Sequence, residues 1–328
     1  MSNLETRPAE TACGGASVAE EPELLTPREV PLGGPRAMTV RRTLPHRERR
    51  MVGAWCFVDH YGPHDLTTAT PMDVPPHPHT GLQTVSWLLE GEVLHRDSLG
   101  SRQMIAPGQL NLMTAGHGIA HSEETPVPER RTTQALSGVQ LWVALPEASR
   151  SVPPHFEHHA DLPVLASEGL RAQVVMGSVD GAASDAATYS PLVGADVTVD
   201  AGSSGRLPLE PSFEHAVLAM DGDVVVDGRR VGIGEMLYLP PGLRDVSLEA
   251  EGSARALLIG GEPFDEHIVM WWNFVGTDHD AIVAAREMWE AQDARFGTVD
   301  DYDGRWLHAP ALPNSRLKAR GRTRSQSR

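Results

Sequence analysis

Apolar residues along most of this chain either alternate with polar ones or fall in short runs bounded by glycine, proline and acidic residues. That is the pattern of strands joined by tight turns. Met38, Val40 and Leu44 alternate with polar neighbours and predict a first strand over 38–44. A buried strand is expected over 52–63, ending at Gly62 and Pro63. Further strands follow over 84–89, 90–97, 103–106, 109–113 and 139–145, with Gly91 and Gly108 at turns. A polar stretch centred on Pro153 and Pro154 reads as a linker over 147–163. A second series then covers 170–176, 187–192, 195–199, 216–221, 224–226, 236–239 and 254–260. Short strands at this spacing predict an all-β protein built of barrels or sandwiches.

Only after Gly260 does the period change. Ile282, Ala285, Trp289 and Phe296 share a face at helical spacing, predicting one helix over about 280–296. Thr277 or Asp278 would cap it, and Gly297 would stop it.

The two strand series can be laid on each other. Residues 88–93 match 218–224 about Gly91 and Gly222, and Gly108 matches Gly234. This punctuation indicates an internal duplication. Carried through, the register sets Pro208 against His77, Glu210 against His79 and Ser247 against His121. The expected organisation is an acidic disordered leader (1–35), a first barrel (36–146), the linker (147–163), a second barrel with the helix (164–312), and a disordered basic tail (313–328). The tail's cations are Arg316, Lys318, Arg320, Arg322, Arg324 and Arg328.

Composition narrows the function classes. The formal net charge of −16 across 328 residues argues against nucleic-acid binding by the folded body. No apolar run is long enough for a membrane span, and the N-terminus lacks a signal-peptide core. With two cysteines, Cys13 and Cys56, no disulfide framework is expected, and a cytoplasmic location is the expectation.

Chemistry concentrates in two short stretches. His77 and His79 are separated by one residue, as are His121 and Glu123. In a strand, residues i and i+2 share a face, so each pair aims its side chains together. On neighbouring strands the four would converge as a site for one divalent ion: iron, manganese, nickel, cobalt or zinc. The second copy carries none of the three histidines, so only the first barrel is expected to bind metal. His95 is expected beside the site and His117 at its mouth. His155, His158 and His159 are expected in an exposed loop, and His60, His64 and His215 have no partner at ligand spacing. Val85, Leu94, Met104 and Met113 are candidate apolar walls, while Trp87 and Trp142 read as core.

These motifs together resemble a known family. His77, Pro78 and His79, then Thr80, Gly81 and Leu82, the Glu90–Gly91 and Pro107–Gly108 turns, and the run from Met113 through Gly116, Gly118 and Ile119 to His121, Ser122 and Glu123 are similar to the pirins of the cupin superfamily. Leu141, Trp142 and Val143 fit as well, and so does the closing segment with Gly261, Glu262, Pro263, Asn273 and Phe274. The resemblance covers about 38–297. It implies two cupin barrels set face to face (a bicupin), a C-terminal helix and one Fe(II) site in the first barrel, held by His77, His79, His121 and Glu123. It also implies cleavage of a flavonol such as quercetin with dioxygen; for that chemistry Glu123 is the candidate base on our reading of the residues, with His95 next in line. The alternative is an iron-binding, redox-sensing module that acts on a protein partner. One departure is Gln83, which occupies the position of the usual cupin glutamate, so no ligand is expected there.

Overall fold

The computed structural model describes residues 11–13, 21–32, 38–69, 71–128 and 131–323. Most of the leader, together with Arg324 and Arg328 of the tail, lies outside them. The chain opens with β1 (Thr11–Cys13) and β2 (Glu23–Leu25). The first barrel runs through β3 (Arg28–Leu32), β4 (Met38–Leu44), β5 (Trp55–Asp65), β6 (Asp73–His79) and β7 (Leu82–Glu90). It continues with β8 (Val93–Asp97), β9 (Arg102–Ile105), β10 (Leu110–Thr114), β11 (Ile119–Glu124) and β12 (Ala135–Ala144), and β13 (His155–His159) follows. The second barrel comprises β14 (Val164–Ser167), β15 (Leu170–Val179), β16 (Ala182–Ala183), β17 (Leu192–Val199), β18 (Ser203–Pro208) and β19 (Glu214–Asp221). Its remainder is β20 (Val224–Val226), β21 (Arg229–Val231), β22 (Met236–Leu239), β23 (Asp245–Ala250) and β24 (Ala254–Gly261). A small ladder of β25 (Ile268–Trp271) and β26 (Phe274–Gly276) precedes α1 (His279–Glu290).

Each barrel pairs a large sheet with a four-stranded one. In the first the orders are β13-β10-β7-β12-β5-β4-β3 and β6-β11-β8-β9; in the second they are β14-β15-β17-β24-β19-β22-β2 and β18-β23-β20-β21. The duplication read from glycine punctuation is therefore present strand for strand. The two large sheets pack face to face across one apolar cluster. It joins Trp55, Trp87, Val139 and Leu141 of the first barrel to Val175, Leu218, Tyr238 and Ile259 of the second. Each fully buried large side chain there contributes about 1.5–3 kcal/mol. Polar pins fix the register: Trp87 Nε1 donates to Asp196 Oδ2 (2.7 Å), and Trp55 Nε1 donates to the Val193 and Gly260 carbonyls (both 3.1 Å).

The interiors differ in kind. Inside the second barrel Val174, Val197, Leu207, Val217, Val246 and Leu258 belong to one aliphatic cluster, whereas the first is lined with polar side chains near its mouth. The fold thus does not require polar groups inside a barrel.

Several segments depart from the sequence expectations. Residues 23–25 and 28–32, assigned to the leader, are strands; β2 pairs with β22 of the second barrel and β3 with β4 of the first. The expected linker contains β13, which extends the first barrel's sheet through β10. Each barrel's large sheet is thus closed at one edge by a strand from outside it, which covers backbone groups that an open edge would leave unpaired. The strand expected over 187–192 begins only at Leu192. The helix ends at Glu290, not Phe296, because Gln292 takes a left-handed φ of +52° and Asp293 N–H folds back onto the Met288 carbonyl. Asp278 is its cap, accepting from Ala281 N–H (2.9 Å), and Phe296 still packs with Trp289 at 5.5 Å.

The tail over 313–323 is not a free basic end. Leu317 is buried, and Arg316 Nη2 donates to Asp280 Oδ2 (2.8 Å). Arg50 N–H donates to the Arg322 carbonyl (2.8 Å), and the Arg322 guanidinium pairs with the buried Glu214. A buried carboxylate needs such a partner, which a composition count does not reveal.

Candidate metal centre

The paired ligand strands are shaped by proline and glycine. Pro75, Pro76 and Pro78 hold β6 extended, and β6 is an edge strand of its four-stranded sheet, where missing N–H donors cost nothing. Gly81 (φ +71°) turns the chain into β7, and Gly116 (φ +50°) opens the turn into β11. The two turns are tied by Gly81 N–H donating to the Gly116 carbonyl (2.9 Å). A side chain at Gly116 would drive into the Val152 carbonyl, so no other residue fits there.

In this register His77 lies directly opposite His121, and His79 opposite Ile119. The His77, His79 and His121 rings stand 4.3–5.1 Å apart, and one nitrogen from each lies within 4.8 Å of the others. All three are 0% exposed. His77 Nδ1 engages the Pro75 carbonyl (2.8 Å), directing Nε2 inward. Nε2 of His77, His79 and His121 has no hydrogen-bond partner, although a buried imidazole nitrogen normally has one. Burial drives the His77 pKa to about 3 and those of His79 and His121 well below the ordinary histidine range. The rings are therefore neutral at pH 7, the form in which imidazole binds a metal. Three neutral, convergent, partnerless nitrogens can hold a divalent ion. No other group of three or more such residues occurs among the described residues, so the second barrel has no counterpart.

Glu123 lies on the same strand, buried, across from His95 on β8. A bulge in β6 at Pro75 and Pro76 sets Val74 opposite Glu123, while β11 stays in regular register with β8; the group of mutually close nitrogens comprises the three imidazoles. The Ser86 hydroxyl lies 3.3 Å from Glu123 Oε1 and 2.9 Å from Gln140 Oε1, and its single proton serves one of them at a time. His95 is tied on both ring nitrogens: Nε2 faces Asp97 Oδ2 (3.2 Å) and Nδ1 faces His121 Nδ1 (3.4 Å). With Nε2–H donated to the carboxylate, His95 Nδ1 accepts from His121 Nδ1–H, and this leaves the His121 Nε2 lone pair for a metal. Phe156 stacks on His95 at 4.5 Å, and Trp142 meets His79 edge-on at 5.1 Å.

The wall residues divide. Met113 packs with Ile119 and Phe156 beside the site, as expected. Val85 points into the cluster between the barrels; in β7 it is Thr84 and Ser86 that take the other face. Leu94 and Met104 are cross-strand partners on the opposite side of β8 and β9 from His95, and Met104 is exposed. Gln83 bonds Thr114 Oγ1 (2.9 Å) and the Ala187 carbonyl (3.1 Å), a structural part in line with its not being a ligand. His117 is exposed, its carbonyl held by Arg295 Nε (2.5 Å). The expected loop histidines are instead half-buried in β13, where His158 Nδ1 meets Asn111 Oδ1 (2.5 Å). Ser86, Gln140 and Phe156 were not singled out from sequence. The period-two alternation of β7 and β12 was the signal for the first two, and Phe156 lay in the presumed linker.

Comparison with known proteins places this geometry in context. The family described as Pirin matches residues 37–143, and the Pirin C-terminal cupin domain matches 194–297. A protein of Pseudomonas aeruginosa with the provisional name quercetin 2,3-dioxygenase is 44% identical over 320 residues, covering 95% of this chain and 98% of its own. A pirin-like protein of Caulobacter vibrioides is 39% identical, covering 80% of this chain and 91% of its own. The crystal structure of a quercetin 2,3-dioxygenase from Acinetobacter baumannii superposes with a TM-score of 0.85 at 42% identity, covering 90% of this chain and 98% of that one.

Proposed function

Because this chain belongs to the pirin family, we propose that it is a metal-dependent dioxygenase that opens a flavonol such as quercetin with dioxygen. Fe(II) is the proposed metal, one per chain, held by His77, His79, His121 and Glu123. The observation that carries this reading is the trio of buried, neutral, partnerless imidazole nitrogens. The similarity to proteins named for quercetin cleavage supports the substrate class. When bound, the metal would lower the pKa of a flavonol hydroxyl and leave coordination positions for substrate and dioxygen.

The chain's own groups do the remaining work. Glu123 is the proposed base, taking the flavonol hydroxyl proton on its carboxylate, with Ser86 as a hydroxyl that can turn toward or away from Oε1. His95 is the second candidate, although its engagement with Asp97 and His121 suits it better to orienting His121. Met113, Ile119 and Phe156 give one side of the site an apolar wall that keeps water from an electron-rich ring. No helix among the described residues is long and apolar enough to cross a membrane.

The test is direct. Protein loaded anaerobically with Fe(II) is mixed with quercetin and air-saturated buffer, and flavonol absorbance and oxygen are followed together. Stoichiometric loss of both is expected, and the His79→Ala variant should lose it. Absence of turnover, or equal rates for the two proteins, would contradict the enzymatic reading and favour a regulatory role.

A further inference from the structure

At the mouth of the second barrel lies a cavity of about 490 Å³, opening where β18 ends and β19 begins. The corresponding place in the first barrel, the end of β6 and start of β7, is where His77 and His79 stand. Of the positions that sequence register set against the metal ligands, Pro208 and Glu210 line this cavity and Ser247, paired with Arg206, does not, so they bring no histidine to it. The chemistry of this cavity comes instead from a residue with no counterpart among the metal ligands, His215.

His215 is 1% exposed, lines the cavity, and has no hydrogen-bond partner on either ring nitrogen. Its ring rests on Gly260, where a Cβ would stand 2.5 Å from His215 Cδ2, so the imidazole needs glycine beneath it. Burial lowers its pKa to about 4, and the nearby Glu210 offsets this in part. At neutral pH it therefore offers one N–H and one lone pair, both unmet. Leaving a buried donor and acceptor unmet is destabilising, a cost that a leucine in the same aliphatic surroundings would not incur. A ligand that both donates and accepts would remove it.

The rest of the lining selects that ligand. Val193, Leu209, Phe213 and Leu258 supply apolar surface, while Asp180 and Glu210 supply carboxylates. Among the described residues no lysine or arginine lines the cavity, so an anion is disfavoured. A sugar would press several hydroxyls against hydrocarbon without partners, a costly burial. A metal would find a single imidazole and a Glu210 already accepting from Ser212 Oγ (2.8 Å). We propose that this cavity binds a small neutral phenol, its ring against Phe213 and Leu209 and its hydroxyl on the His215 imidazole. The second barrel would then be a ligand-binding unit in its own right.

The test uses the full chain carrying His79→Ala, so that the first barrel's metal group is disabled, with 13C-labelled histidine followed by NMR. Catechol is the probe, with benzoate and glucose in parallel, and the His215 signal is assigned by its disappearance in His215→Gln. Catechol is expected to shift that signal saturably, and His215→Leu is expected to weaken catechol binding by roughly tenfold, equivalent to about 1.4 kcal/mol. Should His215→Leu fail to fold, the shift of the His215 signal decides alone. An unmoved signal, a comparable response to benzoate or glucose, or equally tight catechol binding by a folded His215→Leu would overturn the proposal.

Discussion

Replacing His95 with phenylalanine separates its hydrogen bonds from its shape. The phenyl ring can keep the stack on Phe156, now at 4.5 Å and 15°, so little packing is lost. Asp97 keeps Leu99 N–H (2.9 Å) and Ser101 N–H (3.0 Å), so its carboxylate is not stranded. What disappears is the contact from His95 Nδ1 to His121 Nδ1 that fixes which nitrogen of His121 carries the proton. Removing such an outer partner weakens metal binding by about 10–100-fold, or about 1.4–2.8 kcal/mol. Anaerobic competition between the protein and a chelator of known affinity, with Fe(II) or Co(II), reads this directly. The metal-free variant should melt within a few degrees of the parent. A metal affinity within twofold of the parent would refute the idea that His95 orients His121.

Three further outcomes follow from the packing. Glu214→Ala removes a carboxylate that accepts from Gly53 N–H (2.6 Å) and Tyr238 OH (3.1 Å) and pairs with Arg322, leaving a buried cation; a loss of about 3–5 kcal/mol is expected in denaturant unfolding, and a loss below about 1 kcal/mol would contradict the clamp. Gly116→Ala places a Cβ against the Val152 carbonyl at φ +50°; the left-handed strain alone costs about 1–2 kcal/mol, so a clear fall in Tm and weaker metal binding are expected. Burial lowers the pKa of His60 to about 3, with Arg41 adding to the effect, and that of His215 to about 4, below the unfolded value near 6.5. Between those values the unfolded chain binds protons that the folded chain refuses. Stability of the metal-free protein should therefore fall as pH drops below about 6.5, by up to about 1.4 kcal/mol per pH unit for each histidine. A flat profile of unfolding free energy from pH 7 to 5 would contradict this.

Much of the site was legible because strand geometry is simple. His77 with His79, and His121 with Glu123, need only a period of two to share a face, and the glycine punctuation revealed that a second barrel exists without them. Where the sequence misled, a longer-range partner decided the outcome. Residues 23–25 look like leader until β22 offers them an edge, and Phe156 looks like linker until β10 does. Val85 lies on the face that meets the other barrel, because β7 is buried on both sides and its polar residues Thr84 and Ser86 line the barrel interior while the apolar ones face the partner sheet. Arg322 read as one more tail cation, since its partner Glu214 lies 108 positions earlier. The bulge opposite Glu123 belongs to β6, where Pro75 and Pro76 stand, and β11 itself runs in unbroken register against β8.

The central claim, a single metal held by the first barrel's imidazoles, is tested most directly by metal content. Protein purified under anaerobic conditions and reconstituted with excess Fe(II), then desalted, would be analysed by elemental mass spectrometry beside a His77→Ala/His79→Ala double variant. One equivalent per chain is expected in the parent and essentially none in the double variant. Two equivalents in the parent, or an undiminished equivalent in the variant, would contradict the assignment.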